Sequence, residues 1–144
     1  MNSLKKRIFK NLQSTYCQIR PSKIDGVGVF AVREIPEKTK LFTGYVPQPS
    51  ARFKLSELKQ LPAAVLKLLA GFLVLENDGT IEIPQGGFEG LDMSFYLNHS
   101  KTPNVKITSG GEAFITLRKI KKGEELTIDY QKFDNITKDH KFFD

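Results

Sequence analysis

The sequence predicts a mostly β (β+α) domain that carries a small helical insert. Short runs of strand-forming residues recur along the chain, and glycine or proline turns separate most of them. A leucine-rich stretch with helical spacing falls inside residues 48–90, whereas the strand–helix alternation of a doubly wound parallel sheet is missing. We therefore expect a compact, irregular β-rich fold with one helical insertion.

Length and composition indicate a single folded domain. The 144 residues are 40% hydrophobic and 26% charged, which is typical of a single folded domain. No apolar run approaches the roughly 18 residues that a membrane span needs, so we expect no membrane partner. Residues 1–13 lack the apolar centre of a secretory signal.

The cysteine content predicts the redox environment of the protein. The one cysteine, Cys17, excludes an internal disulfide and a multi-cysteine zinc cluster, and we expect it to be a small buried residue. This usage predicts a reducing, intracellular setting. The cytoplasm is the simplest location, and a host cell or its nucleus is the alternative for a viral or non-classically secreted protein.

The N-terminal segment is strongly basic. Net charge is +6, and no acidic residue precedes Asp25. Apolar residues recur in this segment at helical spacing, at Leu4, Ile8 and Leu12. They predict a short amphipathic helix over residues 3–13, which we expect to pack on the domain with its basic face in solvent. Contact with nucleic acid or an anionic surface is the alternative, and it would require a continuous basic patch.

The first part of the chain predicts three strands. Two of them, residues 15–20 and 27–33, flank a turn at residues 22–26. After a second turn, a third strand is predicted over residues 41–46, and prolines end it. We therefore expect a β-hairpin followed by a separate strand.

The insert combines helices with a hairpin. Regularly spaced leucines predict a first helix from residue 55, and Pro62 suits the first turn of a second helix that Gly71 would end. Residues 72–75 and 80–83 flank an Asn-Asp-Gly turn, which is a hairpin signal. These two runs are predicted to pair with each other.

The last part of the chain predicts a second hairpin and a final strand. An apolar run at residues 93–97 leads directly into the polar segment Asn98-His99-Ser100. Residues 105–108 and 113–118 are predicted to pair, and a strand follows over residues 126–130. Alternate residues of that strand would share one face, which ends in Tyr130.

Two glycines near the start have a structural and a functional interpretation. Gly26-x-Gly28 lacks the third glycine and the following helix of a dinucleotide-binding fingerprint. The structural interpretation is a turn that needs positive φ, and the pattern alone favours it. The functional interpretation is a ligand that lies against backbone without side chains.

Polar residues in the second half are the other candidates for chemistry. Buried polar groups need hydrogen-bond partners, so Asn98 and His99 either cap a loop or bind a ligand. By itself, Tyr130 is interpreted as a core residue with its hydroxyl at the surface, and Glu124 and Glu125 as solvated charges. A zinc site is not expected, because the chain has only two histidines.

In this order, the segments resemble the SET-domain protein lysine methyltransferases. The resemblance rests on residues 26–31, 96–100 and 123–130 and extends over residues 16–131. It implies a SET-type β-clip fold of short twisted sheets, in which the Asn-His-Ser segment and the final strand meet in a knot-like crossing. The implied domains are a basic helical extension (1–14), a SET domain (15–131, with an insert at about 48–90) and a short tail (132–144).

The resemblance also implies an activity. Members of this family transfer a methyl group from S-adenosylmethionine to a lysine of a protein, for example a histone or histone-like protein, and no metal is implied. By position, Tyr130 would be the catalytic tyrosine. The residues that would bind the methyl donor are Gly26, Val27, Gly28, Asn98, His99 and Tyr130.

In this family the acceptor lysine enters through a narrow channel, and the resemblance assigns the walls of that channel less clearly than the donor site. Tyr45, Tyr96 and Phe133 are candidate channel residues, although Tyr45 suits core packing equally well. Lys101 stands where many members have a zinc-binding cysteine, and a cysteine-rich tail is missing as well. The short tail or a partner chain would then close the channel, and both a monomer and a homodimer are compatible with the resemblance.

Two other functions stay open. A SET-like domain without catalysis could serve as a peptide-binding or interaction module, although the joint presence of Asn98, His99 and Tyr130 argues against it. A basic nucleic-acid-binding β domain is compatible with the charge, but no strand interleaves aromatic and basic residues. Binding of the methyl donor would separate the first two functions from the third. Methyl incorporation would then separate the enzyme from the inactive module.

Overall fold

The computed structural model describes residues 1–73, 75–76, 78–108 and 113–132. The chain divides into two compact units. The strand unit is Met1–Val46 with Tyr96–Ile128, and the insert unit is Pro47–Phe95 with the chain from Asp129. Within the described ranges, no helix is long and apolar enough to cross a membrane.

Short strands outnumber helices in the described part of the chain. In chain order the strands are β1 (Cys17–Pro21), β2 (Val27–Ala31), β3 (Lys40–Leu41), β4 (Ser50–Lys54), β5 (Thr80–Pro84), β6 (Asn98–His99), β7 (Val105–Ile107), β8 (Phe114–Thr116) and β9 (Glu125–Ile128). The α-helices are α1 (Ser3–Gln13), α2 (Leu55–Leu58) and α3 (Ala63–Phe72). Three 3₁₀ turns also lie in this part of the chain, at Gly87–Gly90, Met93–Tyr96 and Tyr130–Lys132.

The strand unit contains two small sheets. One has the order β1-β2-β9-β6, and the other has the order β3-β8-β7. All neighbours in these sheets are antiparallel except β6 and β9, which pair in parallel with Asn98 opposite Thr127 and His99 opposite Ile128. The Ser100 N–H then donates to Ile128 O at 2.9 Å. This pairing joins the polar segment to the final strand.

Each unit has its own apolar core. In the strand unit, paired neighbours such as Val29 and Leu126 are fully buried where β2 meets β9. In the insert unit, α2, α3 and β5 pack their apolar side chains into one cluster, whose buried members are Leu58, Leu69, Leu73, Leu75 and Ile81. The leucine spacing that predicts helices therefore corresponds to a real buried face.

The N-terminal helix forms as predicted but does not pack as expected. Asn2 caps α1 by accepting from the Lys5 N–H at 2.9 Å, yet no residue of the helix is buried. Leu4, Ile8 and Leu12 are exposed on its surface. The Arg33 guanidinium holds the helix at its C-terminal end, since it donates to Gln13 O at 2.7 Å and to Thr15 O at 3.1 Å. Polar contacts therefore anchor the helix, and the expectation of apolar packing was wrong.

Two strand predictions were wrong in their bounds. The third predicted strand shrinks to β3, because the next residue, Phe42, has φ +57° and turns the chain. The hairpin predicted from residues 72–75 and 80–83 is short, because α3 continues through Phe72; Leu75 forms an antiparallel bridge with Ile81, and the Glu76 N–H donates to Thr80 O at 2.8 Å. The partner of β5 along its length is β4.

The final strand is shorter than predicted at its C-terminal end. β9 stops at Ile128, and the next residue starts a turn. Asp129 Oδ1 accepts from the Gln131 N–H at 3.0 Å, and Asp129 O accepts from the Lys132 N–H at 3.2 Å. Tyr130 therefore begins a 3₁₀ turn and is not the last residue of the strand.

Candidate active site

Asn98 is the centre of a buried hydrogen-bond network in the strand unit. Its side chain is mostly buried, with 9% of the residue exposed. The Nδ2 atom lies 2.9 Å from Glu125 Oε2 and 3.1 Å from the backbone oxygens of Asp25 and Val27. It also lies 3.1 Å from Ser22 Oγ. A carboxylate and two carbonyls can only accept, so this end of the amide must be the nitrogen.

The fixed orientation of the amide leaves its oxygen for another partner. Among the residues that the structure describes, none donates a hydrogen bond to Asn98 Oδ1. Buried acceptors in proteins are nearly always paired with a donor from the protein, water or a ligand. The site can therefore accept a hydrogen bond from a ligand that carries an N–H group.

Asn98 also holds the glycine-containing turn. Within this turn, the Ser22 N–H donates to Gly26 O at 2.9 Å, and Gly26 has φ +47°. Residues with side chains rarely adopt this conformation, so the turn explains Gly26. Because Asn98 Nδ2 bonds to carbonyls on both sides of Gly26, the structure brings residues 26–28 and Asn98 together.

Gly28 is needed for a different reason. A Cβ atom at this position would collide with Glu125 Oε2 and would lie 3.1 Å from Asn98 Nδ2. No side chain fits there while the carboxylate stays in place. The space beside Gly28 is therefore filled by the protein's own Glu125 and not left open for a ligand.

The remaining predicted site residues lie in several different places. His99 is half-buried on β6, opposite Ile128 on β9. Tyr130 is half-buried and follows the end of β9 by two residues. Tyr45 is exposed, Tyr96 is half-buried at the end of a 3₁₀ turn, and Phe133 lies outside the described residues.

The structure gives no sign of a metal centre in the described ranges, where no group of three or more His, Cys, Asp or Glu side chains could hold an ion. Cys17 is buried, as expected, and burial raises the pKa of its thiol to about 12. A thiol with such a pKa stays protonated at neutral pH and is a poor nucleophile or metal ligand.

Sequence reasoning missed the two glutamates before Leu126. Both were interpreted as solvated charges, yet each has defined partners. Glu125 accepts from Ser22 Oγ and Asn98 Nδ2, whereas the Arg118 guanidinium beside Glu124 holds the pKa of that carboxyl below its usual range. Adjacent residues of a strand point to opposite faces of the sheet, so one of two consecutive glutamates had to lie on the same face as Gly28. That alternation, together with a glycine on the neighbouring strand, was the available signal.

Comparisons with known proteins agree with this geometry. A family model described as SET domain matches residues 26–131. Over 126 residues, or 83% of this chain, the sequence is 31% identical to the Drosophila melanogaster histone-lysine N-methyltransferase trr. The chain spans only 5% of the length of that relative.

Two solved structures have a similar fold. One is a Plasmodium falciparum protein described as a histone methyltransferase, with a TM-score of 0.51, 21% identity, and coverage of 81% of this chain and 93% of that chain. The other is the methyltransferase domain of human PR domain-containing protein 2, with a TM-score of 0.50, 22% identity, and coverage of 78% and 75%. The family model covers residues 26–28, Asn98, Glu125 and the final strand together. The chain therefore belongs to the SET domain family.

Proposed function

We propose that the chain is a protein-lysine N-methyltransferase that uses S-adenosylmethionine as methyl donor. Membership of the SET domain family supports this class of reaction. The observation that carries the proposal is the buried amide of Asn98, whose nitrogen is committed to the protein and whose oxygen can accept from a ligand.

The residues present suit this methyl donor. When bound, S-adenosylmethionine supplies a methyl group on a positively charged sulfur, and its amino acid part carries an ammonium group. Asn98 Oδ1 is an acceptor of the kind that an ammonium group needs. In the proposal, Asn98 binds the amino acid part, His99 binds the adenine part, and the backbone at Gly26, Val27 and Gly28 gives further contacts.

The reaction requires the acceptor lysine to be neutral. A lysine amine attacks only after it has lost its proton, and with a pKa near 10.4 it is neutral about once in 2,500 times at pH 7. This corresponds to about 4.6 kcal/mol. Burial of the amine in apolar surroundings lowers its pKa, and a nearby positive charge acts in the same direction. The enzyme therefore does not need a strong base.

Tyr130 is proposed as the residue that orients the acceptor amine. A phenolic hydroxyl can hold the amine by hydrogen bonding while water carries the proton away. The rate of a displacement reaction depends strongly on alignment of the reacting atoms, so such positioning accounts for a large part of the acceleration. Tyr45, Tyr96 and Phe133 stay candidates for the walls around the lysine.

Histones are the first substrates to test. The fruit fly relative is named a histone-lysine methyltransferase, and the Plasmodium falciparum structure is described as a histone methyltransferase. A basic histone-like protein of bacterial type offers the same lysine chemistry. A screen of a whole-cell lysate with isotopically labelled methyl donor, read by mass spectrometry, extends the search to other proteins.

Two measurements test the proposal. Calorimetry should show that the chain binds S-adenosylmethionine, and the lysate screen should show label on lysine side chains. Peptide binding and donor binding without label would favour the inactive interaction module. Absence of donor binding would overturn the proposal and favour a basic nucleic-acid-binding domain.

A further inference from the structure

We propose that Glu125 is a positioning residue that sets the orientation of Asn98 for binding of the methyl donor. The inference rests on the proposed function and assigns a role to a residue outside the predicted site. Glu125, bridged to Ser22, would hold Asn98 Nδ2 against the protein so that Asn98 Oδ1 stays available to the donor.

The contacts of Glu125 form a short chain of hydrogen bonds. Ser22 Oγ lies 2.8 Å from Glu125 Oε1 and 2.9 Å from Oε2. The same hydroxyl accepts from the Ile24 N–H at 2.9 Å, so its single hydrogen is left for the carboxylate. Glu125 Oε2 then accepts from Asn98 Nδ2 at 2.9 Å. The carboxylate therefore connects the turn on one side with Asn98 on the other.

The charge of Glu125 favours one of the two orientations of the amide. A hydrogen bond to a carboxylate is roughly twice as strong as one between neutral groups. A flipped amide would place Asn98 Oδ1 against the carboxylate and against the carbonyls of Asp25 and Val27. It would also turn a donor toward the ligand, where an ammonium group needs an acceptor. Loss of the carboxylate weakens this preference without removing it, because the two carbonyls stay.

The fit of Gly28 supports the same assignment. The carboxylate occupies the space of the missing side chain, and a Cβ atom there would lie 2.9 Å from Glu125 Cδ. The half-buried carboxylate of Glu125 therefore uses the space that Gly28 leaves free, and from there it reaches Ser22 and Asn98.

The neighbouring glutamate is a matched control. Glu124 pairs with the Arg118 guanidinium and accepts from the Lys121 N–H at 3.1 Å, so it is also a bonded carboxylate beside the same strand. It does not contact Asn98. Glu124→Ala therefore removes a charge and a set of contacts of similar kind without changing the orientation of the Asn98 amide.

The first experiment measures the affinity for S-adenosylmethionine by calorimetry, with thermal unfolding of each variant as the check on folding. Glu125→Ala should raise the Kd about 10- to 100-fold, because a charged hydrogen bond is lost. Glu125→Gln keeps an acceptor for Asn98 Nδ2 but loses the charge, so it should raise the Kd about threefold to tenfold. Ser22→Ala should raise the Kd about threefold to tenfold, and Glu124→Ala should not change it. If Glu125→Ala does not fold, Glu125→Gln and Ser22→Ala are compared with Glu124→Ala.

The second experiment needs neither the donor nor activity. The two side-chain amide protons of Asn98, identified by their loss in the Asn98→Ala variant, are followed by NMR in the ligand-free protein. Glu125→Ala should shift these signals and speed their exchange with water more than Glu124→Ala does. A wild-type chain that binds no donor would overturn the proposed function and the inference with it. Wild-type binding with unchanged Kd and unchanged Asn98 signals in Glu125→Ala would overturn the inference alone.

Discussion

The two ends of the Asn98 amide have different partners. The nitrogen donates to acceptors on the turn and on β9, whereas none of these acceptors lies at the oxygen. Asn98→Asp has nearly the same shape but places a second oxygen where the nitrogen was. Donor binding should therefore fall at least as far as in Asn98→Ala, about 100-fold, although an oxygen is retained. Calorimetry with S-adenosylmethionine checks this, and tighter binding by Asn98→Asp than by Asn98→Ala would contradict it.

Tyr130 should act on transfer and not on donor affinity. Tyr130→Phe removes only the hydroxyl, so the expected result is a loss of about 100-fold or more in methyl transfer. The Kd for S-adenosylmethionine should stay within about threefold of the wild-type value. Radiolabel incorporation into the identified substrate gives the rate, and calorimetry gives the Kd. Wild-type turnover in Tyr130→Phe would reject the role of the tyrosine.

Single residues differed in how far the sequence could predict them. Gly26, Gly28 and Asn98 belong to short sequence patterns, which made them candidate site residues. Glu125 and Ser22 were missed, because a carboxylate and a hydroxyl are common on surfaces and their pairing depends on contact between distant segments. Even for Gly28, the sequence could not tell whether a ligand or a protein side chain fills the space.

Among the secondary-structure elements, β9 depends on a side chain that replaces a strand neighbour. Asn104 Oδ1 accepts from the Thr127 N–H at 2.8 Å, and its Nδ2 donates to Glu125 O at 2.8 Å. Asn104 is almost fully buried, so loss of these bonds would leave two backbone groups of β9 without a partner. Asn104 is therefore expected to stabilise the strand.

Substitution of Asn104 tests this expectation. Asn104→Ala should lower the free energy of unfolding by about 2–6 kcal/mol, since each of the two unpaired buried groups costs about 1–3 kcal/mol. Asn104→Asp keeps the acceptor for Thr127 but turns a charged oxygen toward Glu125 O and Glu124 Oε2, so it should lose at least as much stability. Urea unfolding followed by circular dichroism measures both. Equal stability of Asn104→Ala and the wild type would show that water replaces the side chain.

Elements with strong local signals were predicted well. The pairs β1–β2 and β7–β8 formed where alternating residues flank short turns, and the pairing of each is antiparallel. The pair β4–β5 was not predicted, because its strands are separated by two helices and no local pattern links them. The hairpin predicted from residues 72–75 and 80–83 is shorter than expected, because α3 extends through Phe72.

For the whole molecule, the buried thiol should limit stability at alkaline pH. Cys17 has a folded pKa of about 12, whereas an unfolded cysteine ionises near pH 8.5. The folded pKa is raised, so the stability that the neutral thiol contributes is complete below about pH 8.5 and is lost as pH rises toward 12. By pH 10 the loss should be about 2 kcal/mol.

The Cys17→Ala variant isolates this effect. Lysine and tyrosine side chains titrate in both proteins, so their effects on stability cancel in the comparison. The difference in unfolding free energy between wild type and variant therefore measures the effect of thiol ionisation. This difference should be constant from pH 6 to pH 8 and should change by about 2 kcal/mol in favour of Cys17→Ala by pH 10. Urea unfolding at several pH values checks it. A constant difference up to pH 10 would show that the folded thiol ionises normally.

For the whole fold, the family resemblance predicted more of the structure than local sequence patterns did. Periodicity predicted a β-rich domain with a helical insert, which the structure has. It could not predict that Asn98–His99 pairs in parallel with the final strand, since parallel pairing between distant segments leaves no mark in local alternation. The resemblance to the SET family supplied that crossing, because it relates whole arrangements of segments.

The position of β9 has a consequence for biosynthesis. Among the described residues it is the last strand, yet it lies between β2 and β6 in the four-stranded sheet. While the ribosome is still translating the codons before Glu125, β2 can pair only with β1, and β6 has no strand of this sheet to join. The sheet, and with it the Asn98 network, can close only after Ile128 has left the exit tunnel. Pairing between such distant segments is typically slow, so the nascent chain should depend on chaperones until that moment.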